Sequence, residues 1–120
     1  MAELKTGTNL VPSARVVDGT AVVAALKGEI DLHNSPVIRT TLLDLLLKHQ
    51  PKKLVLNLAQ VPYMDSSAIA VLVESLQRIR KNGGKIYLTN LQPRVKGLLE
   101  IARLNAIFGI CADEAEALAL

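Results

Sequence analysis

Leu54-Val55-Leu56-Asn57-Leu58, followed by Val61-Pro62-Tyr63-Met64-Asp65-Ser66-Ser67-Ala68-Ile69, reads as a buried strand handing over to an amphipathic helix. The first run has the length and β-branching of a strand covered on both faces. Beyond the junction, Ile69, Leu72, Val73, Leu76 and Ile79 recur at the i, i+3, i+4, i+7, i+10 spacing of a helix with one apolar face. Asp and Ser side chains at such a junction accept hydrogen bonds from the unpaired N–H groups of the first turn, so the helix starts near Asp65 to Ser67. Leu56, Ile69, Leu72, Val73 and Leu76 are therefore expected to lie buried between strand and helix.

Working outward, Gly83-Gly84 closes this helix from just past its end, as a left-handed cap requires. A phosphate-cradling loop would place its glycines ahead of a helix instead. Lys85-Ile86-Tyr87-Leu88-Thr89 is the next strand, and Gln92-Pro93 opens a helix carrying Val95, Leu98, Leu99 and Ala102 on one side. A short strand is expected at Ala106-Ile107-Phe108 and a final helix at Asp113 to Leu118, with acidic residues in its first turn.

Toward the N-terminus, Ala14 to Val17 and Thr20 to Leu26 read as strands joined at Asp18-Gly19, a pair suited to a two-residue turn with positive φ. The second strand is expected to run to about Gly28-Glu29-Ile30. The loop Asp31-Leu32-His33-Asn34 then leads to a helix with Ser35 as its cap and Pro36 in its first turn. Val37, Ile38, Leu42, Leu45 and Leu46 form that helix's apolar face, and Pro51 ends it. Residues 1–13 lack periodicity and read as a flexible lead-in, with a short edge strand at Leu10-Val11, ahead of one domain over 14–120. The alternation of elements calls for an α/β fold: a mixed sheet with a parallel core and helices packed mainly on one face.

A chain of 120 residues suffices for one core, and half of its residues are hydrophobic with 21% charged, an ordinary globular balance. Cys111 is the only cysteine, which excludes an internal disulfide and suits a reducing compartment; with no basic leader and no long apolar span, the expected location is cytoplasmic. The net charge of +3 is spread along the chain, with one cluster at Arg78, Arg80 and Lys81, and three aromatics offer little for stacking bases. Neither nucleic acid nor a membrane is expected as partner.

Catalysis is not indicated. A nucleophilic Ser66 would need flanking glycines in a sharp elbow and a histidine to take its proton, whereas Met64 and Ala68 stand there, and the two histidines are His33 in a loop and His49 at a helix end. No Walker loop, paired-histidine helix or metal-ligand cluster is present, and no cofactor is expected. In an open α/β sheet the functional crevice lies beyond the carboxyl ends of parallel strands. Asp31 leaves one such strand and Asp65-Ser66-Ser67 another, so both share one rim if the strands are neighbours. The plain alternative is that Asp31 and Ser35 only cap and solubilise a loop.

Leu26-Lys27-Gly28-Glu29-Ile30-Asp31, the run from Leu54 through Ser67, and Asn82-Gly83-Gly84-Lys85 together closely resemble the bacterial anti-sigma factor antagonists of the STAS domain family. The likeness covers about Ala14 to Leu118 and is most specific at Met64-Asp65-Ser66-Ser67. It implies a STAS-like fold and a phosphorylation turn whose modified residue is Ser66. It also implies a protein-binding switch that holds an anti-sigma factor with serine kinase activity while Ser66 is unphosphorylated, so releasing a sigma factor, and that a phosphatase acting on phosphoserine resets. Partner contacts are then expected at Asp31, Asp65, Ser66, Ser67 and Ala68. Here Ala68-Ile69 stands where the family usually has Gly-Leu, and Ala is the better helix former. The runner-up is a non-switching STAS scaffold subunit of a signalling or lipid-transport assembly; a third reading places a small ligand or nucleotide in the same crevice. Ser66 and Ser67 follow each other about 100° apart around the helix, so they face differently, and the resemblance selects Ser66.

Overall fold

Strand β4, Lys53–Gln60, sits inside the sheet with Leu54, Val55, Leu56 and Leu58 fully buried. The structure, a computed structural model, describes residues 2–120. Among these, β1 is Ala2–Glu3, β2 Ser13–Val17, β3 Ala21–Lys27, β5 Lys85–Thr89 and β6 Gly109–Cys111. The helices are α1 Ser35–His49, α2 Ser66–Arg80, α3 Pro93–Ile101 and α4 Glu114–Ala119, with a 3₁₀ turn at Leu104–Ala106. The sheet order is β1-β2-β3-β4-β5-β6; β1 to β3 pair antiparallel, and β3 to β6 pair parallel. This is the expected mixed α/β sheet with a parallel core.

The order also explains where the helices lie. Each crossover from β3 to β6 steps to the next strand in the same direction, and right-handed crossovers then place α1, α2 and α3 on one face. Alternation along the strands follows: Val22, Ala24, Leu54, Leu56, Ile86 and Leu88 enter the main core beneath those helices, whereas Val23, Val55 and Cys111 meet Ala117 of α4 on the other face. Burial raises the Cys111 thiol's pKa, which suits its place as a small core filler. Across the helical layer, Arg39 of α1 grips Glu74 of α2 with two hydrogen bonds of 2.5 and 2.7 Å.

α4 has six residues, too short to persist alone, and polar contacts tie it down. Asp113 caps it, accepting from the Glu116 N–H. Glu114 accepts from Arg15 of β2 and Asn57 of β4, each at 2.7 Å. Burial pushes the Glu114 carboxyl up, and these two hydrogen bonds outweigh it and hold it below its ordinary range. At the other end, the Lys53 ammonium donates to the carbonyls of Ala117 and Leu120.

Several expectations are corrected. The lead-in is not free of the fold: Ala2 and Glu3 pair with Val16 and Arg15, Val11 is fully buried, and the edge strand is therefore Ala2–Glu3 rather than Leu10-Val11. Met1, also part of that expectation, lies outside the described residues. The turn after β2 has three residues between paired Val17 and Ala21, although Asp18 and Gly19 do adopt positive φ. β3 stops at Lys27, because Gly28 turns to a φ of +94° and Ile30 makes a separate parallel bridge to Met64. The cap residue of α1 is Asn34, not Ser35, and Val37 is exposed. β6 begins at Gly109, since Gly109 lies against the Tyr87 ring, where an added Cβ would come within 2.2 Å, while Ala106 and Ile107 form a turn and its end. On α2 the buried face is Ala68, Val71, Leu72, Ser75, Leu76 and Ile79, so Ile69 and Val73, expected inside, are only half-buried at its margin.

Two stability changes follow. Leu72→Ala deletes a side chain 2% exposed in the main core and should cost about 2–5 kcal/mol, read from denaturant midpoints. Gly97, in the interior of α3, has nothing within 4 Å of an added Cβ, so Gly97→Ala should stabilise by about 0.5–1 kcal/mol in the same measurement.

Candidate functional site

The parallel pairing of β3 with β4 brings the loops that leave their carboxyl ends together, so Asp31 and Asp65-Ser66-Ser67 do share one rim. Backbone hydrogen bonds close the seam: Gly28 N–H to Gln60, Ile30 N–H to Tyr63 and Asp65 N–H to Ile30, at 2.9, 3.0 and 3.0 Å.

Asp65 then locks the two loops with its side chain. Its backbone is extended at the start of α2, which leaves the carboxylate facing the first turn. One oxygen accepts from the Ser67 N–H at 2.9 Å, the Ser67 hydroxyl at 2.5 Å and the Ala68 N–H at 3.3 Å. The other accepts from the Leu32 N–H across the seam at 3.1 Å. The Ser67 hydroxyl holds the Asp65 carboxyl below its ordinary range, against partial desolvation, with the amides of Ala68, Ser67 and Leu32 adding to it.

Asp31 is turned into its own loop. Its carboxylate accepts from the N–H groups of His33 and Asn34 at 2.9 and 3.1 Å, while Asn34 returns the contact by accepting from the Asp31 N–H and donating to the Glu29 carbonyl. Asp31 therefore shapes the rim.

The two serines differ. Ser67 is half-buried with its hydroxyl committed to Asp65, whereas Ser66 is exposed and its hydroxyl has no hydrogen-bond partner among the described residues. Ala68, expected among the partner contacts, is corrected: its methyl is 2% exposed inside the main core and its N–H is bound to Asp65, so it offers nothing outward. The Ala68 methyl fills core space.

Leu32 was not singled out from the sequence, yet its side chain is 75% exposed on this rim while its N–H is bound to Asp65. The available signal was one large apolar residue inside an otherwise polar loop. On the far side of Asp65, the Arg94 guanidinium stacks over Tyr63 at 4.9 Å and Gln92 donates to the Ala59 carbonyl, tying the start of α3 to the same junction.

A carboxyl with a depressed folded pKa adds stability that is complete above its unfolded value, near pH 4, and is lost as pH falls through the lower folded value. Asp65→Ala should accordingly separate from the wild type in urea midpoint most at neutral pH, with the gap narrowing as pH falls below about 4. Amide exchange at Leu32, Ser67 and Ala68 should accelerate together in the variant.

The STAS domain model matches residues 11–117 of this chain. The anti-sigma-B factor antagonist of Bacillus subtilis (strain 168) is 37% identical over 87 residues, spanning 72% of this chain and 78% of that protein. The anti-sigma F factor antagonist of Paenibacillus polymyxa is 30% identical over 97 residues, spanning 81% and 83%. The solved structure of the anti-sigma factor antagonist SpoIIAA in its unphosphorylated form superposes with a TM-score of 0.76 at 24% identity, covering 88% of this chain and 90% of that one. A strand-to-helix junction capped by Asp65, the mixed sheet that carries it and these likenesses agree: the chain belongs to the STAS domain family, among its anti-sigma factor antagonists.

Proposed function

We propose that this chain binds an anti-sigma factor through the rim formed by the Asp31 loop and the first turn of α2, and that phosphorylation of Ser66 by that partner's serine kinase activity ends the binding. A phosphatase acting on phosphoserine restores it. The observation that carries this reading is the contrast between the serines: Ser66 offers a free, exposed hydroxyl, and Ser67 has given its hydroxyl to Asp65. In this reading the chain acts by binding.

A phosphate on Ser66 adds about −1.5 to −2 charges at the first turn of a helix, where the dipole favours negative charge, so the fold should survive. Its effect falls outward. Next to the Asp65 and Asp31 carboxylates, the added charge repels acidic groups of the partner and introduces a strongly hydrated group into a contact that must shed water.

The test is a set of three variants measured against the anti-sigma factor of the same organism. Ser66→Ala should bind and resist phosphorylation, Ser67→Ala should still be phosphorylated, and Ser66→Asp should bind about a hundredfold more weakly. Phosphate mapped to Ser67, or a Ser66→Asp protein as tight as the wild type, would overturn the assignment. Protein isolated from its own cells with Ser66 never phosphorylated would instead favour the non-switching scaffold.

A further inference from the structure

The basic cluster Arg78, Arg80 and Lys81 has no part in the rim. α1 and α2 each return from the carboxyl end of one strand to the start of the next, so both helices end at the pole opposite Ser66. With a rise of about 3.3 Å per residue, β4 alone sets the two ends some 25 Å apart. Lys48 at the end of α1, Lys52 ahead of β4, and Lys85 at the start of β5 gather at this pole with the α2 cluster. Among the described residues, the acids in the segments that end there are Asp18, in the turn before β3, Asp44, which pairs with Lys48 at 3.1 Å, Glu74 in the middle of α2, which pairs with Arg39, Glu100 near the end of α3, and Glu114 and Glu116 in the first turn of α4.

Between the ends of α1 and α2 runs a groove of about 180 Å³ whose apolar lining is Leu43, Leu46, Leu47, Pro51 and Ile79. Arg78 and Lys81 stand on its α2 side and no acid lines it. Leu47 projects from its α1 wall, 72% exposed. We infer that this pole docks on an anionic lipid surface, with Leu47 entering the headgroup layer and the surrounding lysines and arginines meeting lipid phosphates.

The spread of the charges selects a plane over a slot. The cations come from α1, the approach to β4, α2 and β5, so a peptide seated in the groove would meet Arg78 and Lys81 and leave the others unused. An anionic plane engages all of them at once, and a protruding leucine adds apolar contact that a nucleic-acid backbone cannot reward. The absence of a helix long and apolar enough to cross a membrane among the described residues does not oppose this, because surface docking needs no span. Docking by this pole leaves the Ser66 rim facing away from the surface, and the inference stands whether or not Ser66 is a switch.

The test is co-sedimentation of the full chain with vesicles of phosphatidylcholine containing about one-third phosphatidylglycerol, beside vesicles of phosphatidylcholine alone. Binding to the anionic vesicles only, and its loss in high salt, is the expected result. Arg78→Glu with Lys81→Glu should weaken it about thirtyfold or more. Leu47→Ser should weaken it about tenfold. Lys27→Glu with Lys96→Glu, the same change of net charge at the rim end, should leave binding within about twofold. Circular dichroism melts check that each variant is folded; all of these side chains are exposed. No binding to the anionic vesicles, equal binding to both kinds, Arg78→Glu/Lys81→Glu and Leu47→Ser variants that bind as the wild type does, an equal loss from the rim-end pair, or displacement by duplex DNA at lower concentration than by anionic vesicles would each overturn the inference.

Discussion

The Asp65 carboxylate is the contact on which the rim between β3 and α2 depends. It sits where two parallel strands release their chains, and it accepts three donors from the first turn of α2 and one from the loop ahead of α1. Any helix start leaves N–H groups unpaired, and here one side chain satisfies two of them while fastening a neighbouring loop. This sharing fastens the two loops of the rim to each other. The inequality of the serines has the same origin: Ser67 stands where its hydroxyl reaches Asp65, and Ser66, one step earlier around the helix, points away from it.

A second constraint is the direction in which the sheet is wound. Successive crossovers in one direction put three helices on one face, all starting at the rim and all ending at the opposite pole. The Asp65 rim and the cations at the ends of α1 and α2 are thereby separated along the strand axis. The face left bare is covered by α4, and the contacts that hold this short helix, Glu114 with Arg15 and Asn57 and Lys53 with the last carbonyls, all come from the sheet beneath it. The cationic head of Lys53 at the end of α4 also complements the partial negative charge there.

The places where sequence reading missed share a cause. From Ala68 to Val73 every residue is apolar, so spacing could not choose the phase of α2. Packing against α1 and the sheet turned Ala68, Val71 and Leu72 inward and left Ile69 and Val73 at the margin. β6 is three residues long, too short to carry a period, and its place is set by Tyr87 filling the space that a side chain at Gly109 would need. β1 exists only through pairing with β2, more than ten residues away.

What the sequence by itself determined is what short-range interactions decide: the buried strand at Leu54 to Leu58, the helix start at Asp65, the stop at Gly83, and an element order that admits a parallel core with little else. Asp65 reaches amides two and three residues on, and Gly83 takes a φ of +75° that glycine adopts freely, so both were legible without the fold. Only the tertiary structure decided which serine is free, that Ala68 faces the core, that Leu32 stands out on the rim and that the cations of separate elements share one pole. Exposure and hydrogen-bond partners across the seam depend on contacts between residues some thirty positions apart, such as Leu32 with Asp65, and no local pattern encodes which of several apolar or hydroxyl side chains such a contact will claim.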